Sequence, residues 1–185
     1  MTFEEKTLKS QRLYEGTIIN LRKDEVTVRN GVSWREIVEH NGGAVLAAVT
    51  KDEKMVMVRQ YRKPAGKVML EVPAGKIDPG ETPQEAACRE LKEETGYTPG
   101  KIEFLTKFFP SVGYSEEILY LYLCTDLLPG QTNFDENEAI DIEEIPIATL
   151  YEMAMKGDIE DAKSIIAILM VKSRLEGKTL PEGKK

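Results

Sequence analysis

The chain has 185 residues, enough for one well-cored domain with an added piece and too few for two ordinary domains. Its 25 Lys and Arg against 32 Asp and Glu leave a net charge of −7, which repels phosphate at long range and argues against a nucleic-acid surface. Cys88 and Cys124 lack metal-site spacing, and with His40 as the single histidine, zinc clusters and histidine triads are disfavoured; His40 reads as a surface residue before Gly42-Gly43.

The N-terminus lacks the apolar run of a signal peptide. No stretch approaches the roughly 18 apolar residues of a membrane span, so no membrane partner is expected and the expected setting is the reducing cytoplasm. Residues 10–40 read as a set of short antiparallel strands: Thr17 to Leu21, Asp24 to Arg29, and, after a turn at Asn30-Gly31, Trp34 to Glu39. Gly42-Gly43 then separates an N-terminal β arm, 1–40, from a main region, 41–185. That region opens with Ala44 to Val49 and Lys54 to Tyr61, whose continuous apolar character predicts strands covered on both faces in a layered α/β core.

Val68 to Val72 reads as a further strand, followed by Pro73-Ala74-Gly75 and a loop closing at Asp78-Pro79-Gly80. A helix start is then signalled three ways: Thr82 as N-cap, Pro83 at the first helical position, and Glu85 completing a capping box. The helix is predicted to stop at Thr95, with Gly96 as the left-handed residue after it. Lys101 to Lys107, Ile118 to Cys124 and Ile140 to Ile145 read as strands. Helices are predicted at Ile147 to Met155 and Asp161 to Leu175, before a tail, Glu176 to Lys185, that reads as frayed.

On the helix that follows Thr82, Glu90, Glu93 and Glu94 stand at i, i+3 and i+4, so their carboxylates emerge on one face and repel. Lys92 points elsewhere, and Arg89 is expected to reach only Glu93. Spacing alone leaves two readings open, a solvated acidic face or a site for a hard cation. Oxygen ligands without nearby His or Cys select Mg²⁺, with Mn²⁺ as the alternative, over zinc. The glycines at 75 and 80 permit a tight path that can bring the Ala74 carbonyl toward the same ion, and Glu81 at the helix mouth can orient the backbone or Arg89.

Gly75, then Glu81, then Arg89-Glu90-Leu91-Lys92-Glu93-Glu94-Thr95-Gly96-Tyr97 resembles the Nudix box, with Tyr97 where the pattern has an aliphatic residue. The resemblance implies an α/β Nudix fold, a mixed sheet between helices, here carrying the N-terminal antiparallel β extension. It also implies a metal-dependent hydrolase of nucleoside diphosphate compounds. Glu90 and Glu94 are then the prime metal ligands, Glu93 a ligand or supporting partner, the Ala74 carbonyl a further ligand, and Arg89 the residue holding the carboxylates.

Beyond the box, the chain resembles the ADP-ribose pyrophosphatase branch through most of residues 10–175. The branch implies that Arg35, in Trp34-Arg35-Glu36-Ile37-Val38, and Arg62, in Gln60-Tyr61-Arg62, contact the substrate phosphates, with Trp34 available to stack on adenine or simply to pack. Asp135-Glu136-Asn137-Glu138 resembles the branch's acidic loop, which makes Glu136 the candidate general base and Glu138 a supplementary metal ligand. A solvated acidic turn is the alternative there. Ser111 to Glu117 resembles the branch's Ser-Pro-Gly loop, in which Glu117 takes the substrate-contacting place, but the marker proline is replaced by Val112. The departure leaves the reaction type untouched and counts against the substrate, and the branch resemblance keeps ADP-ribose as the first expected substrate. GDP-mannose, another nucleoside diphosphate sugar, is the rival, and a non-catalytic ADP-ribose-binding regulator is the rival of a different kind. By analogy with the branch, the arm is expected to exchange between subunits of a homodimer.

Overall fold

A computed structural model describes residues 3–134 and 139–177, in two compact units. Glu136 and Glu138 lie outside the described residues, as do residues 178–185 of the expected tail.

One unit comprises the described residues up to Gly42 together with Phe109–Ile118. It holds a three-stranded antiparallel sheet in the order β1-β2-β3, from Thr7–Glu15, Asn20–Val28 and Gly31–Glu39. The hairpin at Asn30-Gly31 is as expected. The Thr17 to Leu21 strand is corrected: residues 17–19 form the connection, and the first strand is Thr7–Glu15. That strand escaped prediction because it is exposed at every position, so no apolar alternation marks it. The segment 109–118 runs beside β3, with the Val38 N–H donating to the Tyr114 carbonyl at 2.7 Å and the Glu116 N–H to the Val38 carbonyl at 3.1 Å.

The other unit comprises Gly43–Phe108 and the described residues from Leu119 onward. Its four-stranded mixed sheet has the order β7-β4-β9-β8, from Ala74–Lys76, Gly43–Ala48, Leu119–Thr125 and Lys101–Phe108. β4 runs parallel to β9 and antiparallel to β7. A second sheet, β10-β5-β6, is built from Ile140–Pro146, Lys54–Arg62 and Lys67–Glu71.

All six residues of β4 are buried, and their alternation explains why. Ala44, Leu46 and Ala48 face one core with Ala86, Ala87 and Leu91 of helix α1, Pro83–Thr95. Val45 and Ala47 face the other core. There they meet Ile147 and Leu150 of α2, Ile147–Lys156, and Ala167, Ile168 and Val171 of α3, Ala162–Leu175. This is the mixed sheet between helices that the sequence predicts. No helix among the described residues is long and apolar enough to cross a membrane.

Candidate active site

Helix α1 begins as its sequence requires. The Thr82 hydroxyl accepts from the Glu85 N–H, and the Glu85 carboxylate accepts from the Thr82 N–H at 2.8 Å, closing the capping box. It ends on Gly96 at φ 76°, a left-handed conformation that costs glycine nothing. Leu91, fully buried with Ala86 and Ala87, fixes the rotation of the helix; each such leucine contributes on the order of 2 kcal/mol. Glu90 and Glu94, one turn apart, are thereby set against the Ala74-Gly75 backbone.

The contact at Gly75 is close. A Cβ there would lie 1.8 Å from the Glu90 carboxyl carbon, so only glycine leaves room for that carboxylate. Glu94, 4% exposed, accepts from the Ala74 N–H at 3.0 Å. Two carboxylates from the helix thus lie on the strand edge that contains the expected carbonyl ligand.

Arg89 ties the cluster together. Its Nε and Nη2 donate to the two oxygens of Glu81, both at 2.9 Å, and Nη1 donates to Glu90 at 2.8 Å and to Glu93 at 3.0 Å. Nη2 also donates to the Lys76 carbonyl at 3.0 Å. The expectation that Arg89 reaches only Glu93 is therefore too narrow, because the guanidinium forks across its sequence neighbour as well. The Glu81 hydrogen bonds, followed by those of Glu90, keep the guanidinium charged far above its ordinary range, and Arg89 holds Glu81 below the usual carboxylate value.

Arg62 engages Glu71, with Nε and Nη2 each 2.8 Å from a carboxylate oxygen. The Glu71 hydrogen bonds, against the opposing effect of burial, raise the Arg62 pKa, and the nearby charge of Glu94 adds to that. Glu71 is 2% exposed and carries a second cation, Lys163, at 2.5 Å. Burial pushes the Glu71 carboxyl up, but the Arg62 hydrogen bonds and Lys163 outweigh it and hold the group below its ordinary value. The Glu71–Lys163 pair was not foreseen; a carboxylate at the end of the apolar run Val68 to Val72 is the signal that could have found it.

The donor set fits a hard divalent cation. Glu90 and Glu94 supply oxygens, and Gly75 keeps the strand edge bare beneath Glu90. Among the described residues no three His, Cys, Asp or Glu side chains already converge on one point. Glu93 is instead engaged by Arg89.

Trp34, Arg35 and Glu117 belong to the unit that contains the arm. Trp34 is 46% exposed, with the Lys23 ammonium 5.1 Å from its ring centroid. Arg35 forks onto Glu5 at 2.8 and 2.5 Å and also donates to Ser33 and to the Trp34 carbonyl. Glu117 lies 3.6 Å from the His40 Nδ1, which accepts the Gly42 N–H. His40 is thus less exposed than a bare surface reading implies. Val112 is strongly exposed. Tyr97 packs beside the α1 core, and its hydroxyl donates to Glu144 at 2.6 Å.

Comparison with known proteins gives the chain its relatives. The chain is 40% identical over 169 residues to a methanol dehydrogenase activator of Bacillus methanolicus, covering 90% of this chain and 91% of the relative. It is 37% identical to an ADP-ribose pyrophosphatase of Bacillus subtilis, covering 95% of this chain and 97% of that one. It is 33% identical to an ADP-ribose pyrophosphatase of Mycobacterium tuberculosis, covering 95% and 86% respectively. A crystal structure of an ADP compounds hydrolase matches the fold with a TM-score of 0.81 at 24% identity, over 96% of this chain and 97% of that chain. The NUDIX domain model matches residues 40–167, and with the box residues gathered around Arg89 the chain belongs to the Nudix family.

Proposed function

We propose that this protein is a hydrolase that splits the pyrophosphate bond of ADP-ribose, or of a related nucleoside diphosphate sugar, giving AMP and ribose 5-phosphate from ADP-ribose. The observation that carries the reading is the pair of helix carboxylates, Glu90 and Glu94, seated on the Ala74-Gly75 backbone and braced by Arg89. The relatives named ADP-ribose pyrophosphatase, which align over most of the chain, support the substrate.

Nudix hydrolases generally need divalent metal ions, and here Glu90, Glu94 and the Ala74 carbonyl would hold the ion, with Glu138 supplementary. Mg²⁺ is the expected ion, and Mn²⁺ a substitute, because every donor is oxygen. When bound, the ion supplies charge neutralisation at the diphosphate and Lewis acidity. Arg89 orients Glu90 and Glu93, which removes the repulsion among the carboxylates. Glu136 accepts a proton from the water whose oxygen bonds to one phosphorus, as that phosphorus loses its bond to the bridging oxygen, which departs with the other phosphate. Arg35 and Arg62 bind the phosphates, Glu117 the sugar, and Trp34 stacks on the base. The catalytic region, 41–185, works with a 1–40 arm exchanged in a homodimer, in the cytoplasm.

The test is product analysis with Mg²⁺ on a panel of ADP-ribose and GDP-mannose, for the native protein and Glu94→Gln. AMP and ribose 5-phosphate from ADP-ribose, lost in Glu94→Gln, is the expected result. Cleavage of GDP-mannose alone transfers the assignment to that sugar nucleotide, a substrate named for relatives at 28–29% identity. A second reading, a regulator that binds ADP-ribose and acts through another protein, is favoured by the activator among the relatives. It requires tight ADP-ribose binding with no turnover.

A further inference from the structure

The first turn of α3 reaches back 92 residues to the strand that leads into the active site. Asp161 caps that helix, accepting from the Ser164 N–H at 3.0 Å and from the Ser164 hydroxyl at 2.5 Å. Ser164, fully buried, in turn accepts the main-chain N–H of Val72 at 2.8 Å. Lys163 bridges Glu71 at 2.5 Å and Asp161 at 3.0 Å, with only 12% of its side chain exposed. Two residues on, the Pro73 carbonyl accepts from the Leu46 N–H, and the Ala74 N–H donates to Glu94. Four consecutive residues, Glu71 to Ala74, are therefore each held by a directed polar contact.

Stability alone does not call for this arrangement, since apolar residues of similar volume replace buried ion pairs without loss in many proteins. What charges and hydrogen bonds add is direction. A metal site must be held to within about 0.5 Å, by supporting groups behind the ligands.

We infer that Lys163 and Ser164 are positioning residues for the metal-binding edge: they fix the Glu71–Ala74 segment so that the Ala74 carbonyl and Glu94 meet the cation at a set spacing. The inference rests on the proposed reading of Glu90, Glu94 and Ala74 as ligands. Lys163 also shares Glu71 with Arg62, so removing Lys163 leaves Glu71 to draw on Arg62 alone, the arginine assigned to the substrate phosphate.

The test measures Mn²⁺ affinity by electron paramagnetic resonance, together with kcat, KM and melting temperature, in Ser164→Ala, Lys163→Met, Lys163→Arg and Val171→Ala. Val171 is buried on the same helix and belongs to the apolar core, so Val171→Ala reports loss of stability without loss of the polar contacts. Ser164→Ala and Lys163→Met are expected to weaken Mn²⁺ binding about tenfold and to lower kcat, with Lys163→Arg restoring both. Val171→Ala is expected to lower the melting temperature and leave Mn²⁺ affinity unchanged. Should Lys163→Met not fold, Lys163→Gln carries the same expectation. Native Mn²⁺ affinity in both Ser164→Ala and the Lys163 variant, or a loss no larger than that of Val171→Ala, overturns the inference. Glu94→Gln separates the two levels. Its loss of Mn²⁺ binding upholds the ligand assignment whatever Lys163 does, whereas unchanged binding there overturns the assignment and this inference together.

Discussion

Gly75 is where a single atom has the largest consequence. A methyl group at that Cα occupies the place of the Glu90 carboxylate, so Gly75→Ala must displace either the strand edge or that carboxylate. A displacement near 1 Å at a reacting centre costs about a hundredfold in rate. We expect kcat of Gly75→Ala to fall by that order while its circular dichroism stays native; undiminished turnover removes Glu90 from the site. Glu71 gives a different signature, in pH rather than rate. Its folded pKa lies below the ordinary 4.5, so its pairing contributes stability that is present above that value and fades as pH falls through the lowered folded pKa. Glu71→Gln should start less stable at neutral pH and lose less between about pH 5 and about pH 3, read by thermal melts. The box was legible because its residues sit within one helix and its entry loop, where spacing dictates geometry. The Glu71–Lys163 pair was not, because nothing local connects residues 92 apart.

At the scale of elements, α1 carries the account. Its cap, its proline and its terminal glycine all point to the same boundaries, which is why the sequence located it to the residue. Thr82→Ala should cost about 1 kcal/mol through the lost cap, and Leu91→Ala about 2–5 kcal/mol through the cavity it leaves, both read by denaturant melts. An unchanged midpoint for Leu91→Ala contradicts the packing that orients Glu90 and Glu94. The strands β4 and β5 were legible from apolar continuity, and β8, β9 and β10 from short runs of strand-forming residues between polar loops. β1 was not, since Thr7–Glu15 is exposed throughout, and β7 is only three residues long. Both elements are stabilised by pairing partners rather than by their own pattern, so no reading of the segment alone reveals them.

For the whole molecule, the exposed apolar side chains of the arm, Leu8, Leu13, Tyr14, Ile18 and Val32, are the surface a proposed homodimer would cover. Sedimentation should find a two-chain species that Leu13→Lys with Tyr14→Lys dissociates, and a native monomer at micromolar concentration refutes the exchange. Arg35 and Glu117, proposed above to contact the substrate, lie with Val112 in the unit formed by the arm and 109–118, and the box lies in the other. The central claim is that the α1 carboxylates make this Nudix chain a metal-dependent pyrophosphatase. The most direct measurement is the release of AMP from ADP-ribose with and without Mg²⁺, in the native protein and in Glu94→Gln. The account predicts AMP with ribose 5-phosphate only when both Mg²⁺ and Glu94 are present; AMP release that survives either removal contradicts it.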